Sequence, residues 1–353
     1  MAVGTGSGVF SDIDKSRMTK AMTPDRFEAF RIHSDATGHR AGIESLTLDD
    51  LNPGEVVIKV AYSSVNYKDA LAGSGKGRIL RRSPLVGGID VAGHVVASSD
   101  ARFKEGDAVL CTGSGLSETR DGGYAEYARL EGDWMIPLPP GLSLRESMIL
   151  GTAGFTAALS LLRMQDNHQR PQLGPIAITG ATGGVGMLAT AIFSRVGYAV
   201  HAISGKPEHA DFLRALGADE VLDRRVFRPG QRPLESVRYG GALDNVGGPT
   251  LAGLLPMIAP CGNVAACGLA ASADLATTVM PFIIRGVSLL GIASAATPRD
   301  QRERVWTHLA SDWKPAQLDA IATREITLSE LPVVFARMLA GESLGRTLVK
   351  IDA

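Results

Sequence analysis

Cysteine is scarce in this chain: three residues in 353, at positions 111, 261 and 267. An odd number at wide spacing argues against a disulfide framework, and without any C-x-x-C pair a structural zinc lobe has no ligands. That usage fits a reducing, cytoplasmic setting. Aromatic residues are also few, at 5%. Neither sign of charge is in surplus: 36 Lys and Arg against 37 Asp and Glu give a formal net charge of −1. The chain as a whole therefore carries no basic field to draw nucleic acid or an anionic membrane. No apolar run reaches transmembrane length, and the N-terminal stretch has no apolar core of the kind a secretory signal needs. The G-x-S-x-G turn of a serine hydrolase is missing too.

What is present is glycine, 41 residues of it, and an apolar content of 45%. With this length they describe a globular α/β chain of two domains. Residues 1–23, rich in Gly, Ser and charge, read as a flexible extension. From 24 to 150 the pattern is short strands broken by Gly, Pro and Asn: "EVVIKVAYSSV" after the turn "NPGE", then "GHVVASSD", "GDAVLCTG" and "GGYAEYARL". Close spacing of such strands predicts a barrel-like β domain. From 151 to 296 apolar strands alternate with helical stretches, the signature of a doubly wound parallel sheet. Residues 297–353 turn helical and charged, then end on a strand, "RTLVKI", with no evident partner in the preceding domain; it is expected to return to the first.

The strand–helix junction "PIAITGATGGVGMLATAIF" carries glycines at 180, 183, 184 and 186. Gly180 permits the tight exit from the strand, Gly183 and Gly184 let backbone approach a pyrophosphate, and Gly186 lets the helix pack closely on the sheet. The helix N-terminus offers its free N–H groups to phosphates. A dinucleotide is the ligand this predicts. Where an acidic residue would bind ribose hydroxyls, the next strand ends on Ser204, Gly205 and Lys206, with Arg224 following the strand after it. A hydroxyl, an open backbone and two cations suit a 2′-phosphate, which favours NADPH over NADH. The alternative is that Lys206 and Arg224 are ordinary solvated charges.

Taken with "SSVNYKDALAGSGKG", "GTAGFTAAL", "SGKPEHADFLRALGA", "AACGLA", "TTVMPFIIRGVSLLGI" and "GRTLVKI", this loop resembles the medium-chain dehydrogenase/reductase superfamily. Within it, the likeness is to the zinc-independent quinone oxidoreductase branch and its acryloyl-CoA reductase (NADPH) group. The resemblance implies an α/β protein with a GroES-like β-barrel catalytic domain, a Rossmann domain and a homodimeric state. It also implies cofactor contacts at Tyr67, Thr182, Gly183, Gly184, Val185, Ser204, Gly205, Lys206 and Arg224. Leu269, Ile283 and Ser294 follow, with Arg346 near the cleft; plain core packing is the alternative for Leu269 and Ile283. The group's usual Asp before Ser294 is replaced by Ala293.

Zinc alcohol dehydrogenases carry an early Cys and a G-H-E motif; here Asn66 and Ile89 stand at those places, so no metal ligands are expected. His94 reads as a strand histidine. Hydride transfer to the β carbon of an α,β-unsaturated carbonyl needs no strong Lewis acid, only donors aimed at the oxygen that gains charge. Tyr67 is the candidate donor, with Asn66 and Asp69 in support; a half-buried tyrosine with a satisfied hydroxyl is the alternative. The substrate implied is an acyl-CoA, acryloyl-CoA first, or a small enone. A quinone reductase and a non-catalytic NADPH-binding protein remain as alternatives. Cations at 76, 78, 81 and 82 offer a docking place for CoA phosphates, or form a solvated basic loop.

Overall fold

The fold is described from a computed structural model, for residues 24–225, 228, 230 and 232–351. The expected flexible extension, residues 1–23, lies outside the described residues. The chain opens with β1 (Phe27–Asp35), β2 (Gly38–Leu46), β3 (Val56–Val65), helix α1 (Tyr67–Ser74), β4 (Leu85–Val86), β5 (Asp90–Ser98), β6 (Ala108–Thr112), β7 (Tyr127–Leu130) and β8 (Ile136–Pro137). β1, β2 and β4 form one small sheet. β3, β5, β6 and β8 run side by side in a second sheet, with β7 also on β3. Both sheets close on one core that includes Phe30, Ile58, Val91, Val109 and Tyr124.

Helix α2 (Leu144–Asp166) leads out of this lobe. Ser143 caps it, its Oγ accepting from Glu146 N–H at 3.1 Å while Glu146 Oε2 accepts the Ser143 N–H at 2.9 Å. Contrary to the expectation that no apolar run is long enough to span a membrane, α2 passes by length and composition, yet 89% of that stretch is buried inside the fold. It is the core helix wedged between the two lobes. The sequence pattern divides at residue 151, and that is where the helix breaks: Gly151 takes φ 49°, ψ −155°.

The second lobe continues with β9 (Ile176–Thr179), α3 (Gly184–Arg195), β10 (Val200–Ser204), α4 (Ala210–Ala215), β11 (Glu220–Asp223), β12 (Tyr239–Asp244), α5 (Gly248–Leu254), β13 (Ile258–Ala266), α6 (Met280–Arg285) and β14 (Ser288–Gly291). Its sheet has the order β11-β10-β9-β12-β13-β14, every pairing parallel. The strand order reverses between β9 and β12, which opens a crevice beyond their carboxyl ends, where ligands of such sheets bind.

Then come α7 (Arg299–Leu309), α8 (Leu318–Ile321), β15 (Ala322–Ile326), α9 (Leu331–Leu339) and β16 (Arg346–Lys350). β16 runs antiparallel along β3, with Thr347 opposite Val65 and Lys350 opposite Tyr62, and β15 adds outside it in parallel. Phe335 of α9 packs into the first lobe's core, edge-on to Phe30 at 5.9 Å. The end of the chain is thereby built into the sheet that carries α1.

Leu348 on β16 is fully buried among residues of α2 and α3. Leu348→Ala is expected to cost about 2–5 kcal/mol, since it leaves a cavity where two lobes and the terminal strand meet. Urea denaturation measures it; a loss below about 1 kcal/mol would mean that β16 is not part of the cooperative core.

Candidate active site

Sequence places Asn66, Tyr67 and Asp69 at the start of α1, immediately after β3. Asp69 is the third helical residue, and its Oδ2 accepts the Asn66 backbone N–H at 2.8 Å, fastening the first turn. Its Oδ1 accepts from Ile89 N–H at 2.9 Å, which ties α1 to the chain entering β5. Tyr67, two residues earlier and on the opposite face of the same turn, is 58% exposed. The first turn thus holds its carboxylate inside and presents its phenol outside.

Beneath this turn lies Asp90, completely buried. Its carboxylate accepts from Ser64 Oγ at 2.6 Å, Asn66 Nδ2 at 2.7 Å, Thr152 Oγ1 at 2.5 Å and Thr152 N–H at 2.9 Å. The break at Gly151 leaves the Thr152 N–H free of the preceding helical turn, so Asp90 caps the second half of α2, where the helix dipole favours an anion. A side chain at 151 would put its Cβ 2.5 Å from Asp90 Oδ2 and 2.8 Å from Arg346 Nη2. Glycine alone meets both the dihedral angle and the space there.

Arg346, 3% exposed, completes the cluster. It donates to Ile149 O at 3.0 Å, Val65 O at 3.1 Å, Asn66 Oδ1 at 2.9 Å and Ser64 Oγ at 2.6 Å, and its Nη2 stands 3.6 Å from Asp90 Oδ2. Burial pulls the guanidinium pKa down, against the pull of Asp90 and Asp69. Asn66 and Asp69 face inward, where their side chains hold other groups around the turn. Arg346 directs Nε, Nη1 and Nη2 to protein acceptors.

Arg346 also reaches the glycine loop. A Cβ on Gly184 would lie 3.3 Å from Arg346 Cδ and Nη1. The loop that opens α3 and the turn that carries Tyr67 therefore both meet the same arginine, at its Nη1. Gly186 has no space for a side chain, its Cβ falling 2.3 Å from Gly180 O. Thr182 Oγ1 lies 3.2 Å from Ser204 Oγ, and Ser204 Oγ accepts the Lys206 N–H at 3.0 Å. Lys206 Nζ donates to Ser343 O at 2.6 Å. Arg224 packs directly over Gly205, whose added Cβ would lie 2.3 Å from its Nε. The nearby carboxylate Asp223 is held instead by Arg225, through two side-chain nitrogens. Thr182, Gly183, Gly184, Val185, Ser204, Gly205, Lys206 and Arg224 thus form one continuous border along the sheet's carboxyl edge.

The other expected residues stand further out. Leu269 is 67% exposed, next to Gly247, while Ala270 N–H reaches Asn245 O at 3.3 Å at the crevice. Ser294 opens the turn Ser294–Ala296, against which Gly113 of the first lobe packs. Ile283 is on α6, 73% exposed, and among the described residues no hydrogen bond links it to the glycine loop. Neither Leu269 nor Ile283 is a core residue. His94 is exposed on β5, its ring 3.2 Å from Gly106 O.

Sequence reasoning missed Ser64, Thr152 and a second buried arginine, Arg302. Arg302 gathers Thr112 O (2.8 Å), Ser294 O (3.0 Å) and Ala295 O (2.9 Å), and so pins the Ser294 turn to the end of β6. Its place in a charged amphipathic helix gave no hint of burial.

Residues 52–140 match the alcohol dehydrogenase GroES-like domain, and residues 184–311 match the zinc-binding dehydrogenase domain. The chain is 46% identical over 326 residues to the putative quinone oxidoreductase YhfP of Bacillus subtilis, which spans 92% of this chain and 99% of that one. It is 45% identical over 315 residues to the acrylyl-CoA reductase AcuI of Ruegeria pomeroyi, spanning 89% and 95%. The crystal structure of the yhdH oxidoreductase from Salmonella enterica in complex with NADP aligns with a TM-score of 0.89 at 45% identity, over 92% of this chain and all of that one. The yhfP structure from Bacillus subtilis with NAD bound gives 0.89 at 46%, over 93% and 100%. The residues do not fit the zinc of the second domain's description. Asn66 is an amide already bonded through both its nitrogen and its oxygen, and Ile89 has no donor. Among the described residues no group of three or more His, Cys, Asp or Glu could hold a metal ion.

Burial, reinforced by the charge of Asp90, raises the Asp69 carboxyl from 3.8 to about 7. Folding then takes up a proton between those values, so this group's contribution makes stability fall as pH rises from about 3.8 to about 7. Asp69→Asn has no such titration. The stability of wild type relative to the variant is expected to shrink across that window and level off above it, measured by denaturant unfolding at each pH. A difference that stays constant with pH contradicts the assignment.

Proposed function

The chain belongs to the medium-chain dehydrogenase/reductase family, and on that premise we propose that it is an NADPH-dependent reductase of α,β-unsaturated acyl-CoA thioesters, with acryloyl-CoA reduced to propanoyl-CoA. The observation that carries this reading is the meeting of the Tyr67 turn and the glycine loop at one buried side chain, Arg346. It supports a cleft in which a conjugated carbonyl under Tyr67 faces the cofactor. The similar proteins named above, an acrylyl-CoA reductase and a putative quinone oxidoreductase, are the two reaction classes to choose between.

The residues fit NADPH. Gly183 and Gly184 leave the backbone open to a pyrophosphate at the head of α3. Ser204, Lys206 and Arg224 offer a hydroxyl and two cations to a 2′-phosphate, with Asp223 neutralised by Arg225. Bound NADPH supplies a hydride to the β carbon of the unsaturated thioester. Charge then gathers on the thioester oxygen, and the Tyr67 hydroxyl donates a hydrogen bond to it. The α carbon takes its proton from that hydroxyl or from water. Asn66 and Asp69 keep the turn in place, and Asp90 with Arg346 keeps both walls in register. No step calls for a metal donor.

The assembled state we propose is a homodimer. β14 is an open sheet edge that carries the exposed Leu289, and Ile283 and Ile284 stand exposed on α6 just before it, an apolar edge that a second copy would cover. Ile284→Lys is then expected to sediment as a monomer; an unchanged sedimentation coefficient removes this edge as the contact.

Two substitutions test the site. Tyr67→Phe is expected to keep NADPH affinity while turnover with acryloyl-CoA falls on the order of a hundredfold; unchanged turnover removes Tyr67 from the chemistry. Lys206→Glu is expected to weaken NADPH binding roughly tenfold or more, with the fold retained and NADH affinity hardly altered. Equal weakening of both cofactors would place Lys206 away from the 2′-phosphate.

A further inference from the structure

The basic segment 76–82 is left over once the cofactor border and the Tyr67 turn are accounted for. Lys76, Arg78, Arg81 and Arg82 are all exposed, in a chain whose net charge is −1. Two features set them apart from a loose solvated loop. First, the segment is anchored. Ile79 and Leu80 pack against the first lobe's core between the cations, and Arg81 N–H donates to Glu118 O at 2.7 Å. The apolar residues face in and the cations are held out.

Second, the charge is left largely uncompensated. Glu118 is the carboxylate that meets the segment, and its side chain is already hydrogen-bonded to Lys68 Nζ. Arg81 Nε is 3.8 Å from Glu118, with the Arg81 side chain 71% exposed. Asp121 lies near Arg82, but its oxygens accept the Val86 and Asn52 N–H groups. Among the described residues, Lys76, Arg78 and Arg82 make no side-chain hydrogen bond.

The position of this strip relative to Tyr67 is fixed by α1. Tyr67 opens the helix and Gly75 closes it in the left-handed conformation, so eight residues place the strip about 12 Å further along. Glu118 then links Lys68, the residue after Tyr67, to Arg81. One helix thus has the proposed reacting end of the substrate at its head and Lys76 and Arg78 past its tail, while Glu118 holds Arg81 beside Lys68 of the first turn.

We propose that this strip binds the phosphate groups of the substrate's CoA carrier, with the pantetheine arm lying along α1 between the two ends. The assignment rests on the thioester reading above and names the part of the substrate that reading leaves unplaced. A diphosphate and a phosphomonoester are ionised at neutral pH and take charge-assisted hydrogen bonds from guanidinium groups. The strip is separate from Lys206 and Arg224, which serve the cofactor.

The test is a triple variant, Arg78→Gln with Arg81→Gln and Arg82→Gln, assayed with acryloyl-CoA and with acryloyl-pantetheine, which lacks the nucleotide. The KM for acryloyl-CoA should rise on the order of tenfold to a hundredfold, while kcat, the KM for acryloyl-pantetheine and the KM for NADPH stay level. The rise of the acryloyl-CoA KM with salt should also flatten. An unchanged KM for acryloyl-CoA, or equal shifts for the two thioesters, overturns the proposal. Calorimetric titration of CoA itself gives a reading independent of turnover: weaker binding by the variant supports the strip, equal binding overturns it. Should the wild type reduce neither thioester, the reaction assigned above fails, and the CoA titration alone then decides for or against the strip.

Discussion

The structure turns on one buried ion pair, Asp90 with Arg346. Asp90 belongs to β5 and Arg346 to the last strand, and their shared partners come from β3, the first turn of α1 and both sides of the break in α2. Two charges withdrawn from water are costly unless their remaining lone pairs and protons are bonded, and here nearly all of them are. Removing either partner would strand the other, at a cost of about 3–5 kcal/mol. Much of the surrounding sequence answers to this demand. Glycine at 151 makes room for the pair, Thr152 supplies two donors, and the terminal strand must return across the first lobe to deliver the arginine.

The same pair explains how two separately built lobes present one cleft. The glycine loop is a feature of the second sheet and the Tyr67 turn a feature of the first. Each packs on Arg346 or on a residue it holds. Arg302 repeats the arrangement on the far side, fixing the Ser294 turn to the end of β6 by carbonyl bonds. On the reading proposed above, walls held in this way keep the Tyr67 hydroxyl placed to stabilise developing charge without reorganising.

The fold was largely legible in the sequence because its signals are local. Alternating β-branched strands, the glycines at 180, 183, 184 and 186, and the regular strand–helix alternation announce the two lobes by their periods. The end of β10 was legible for the same reason, and Ser204 and Lys206 stand there. What could not be read is long-range. Arg346 lies 282 positions from Ser64, and nothing near "GRTLV" reveals that its guanidinium is spent internally. Asp90 is a helix cap and a counter-ion only through Thr152 and Arg346, partners far along the chain. Asn66 and Asp69 shared a motif with Tyr67, yet the helical turn sends the phenol outward and the carboxylate inward. Leu269 and Ile283 show the converse: apolar residues usually read as core, but here they are exposed.

The central claim is reduction of an unsaturated thioester by hydride from NADPH in a site with no metal donors. Mass spectrometry of the product formed from acryloyl-CoA and NADPH deuterated at the transferable position tests it most directly, with the enzyme pretreated with chelator and a free quinone run in parallel. The account predicts propanoyl-CoA with the deuterium on its β carbon, formed at an undiminished rate after chelation and faster than the quinone is reduced. Unlabelled product, activity abolished by chelation, or consumption of NADPH with the quinone alone would contradict it.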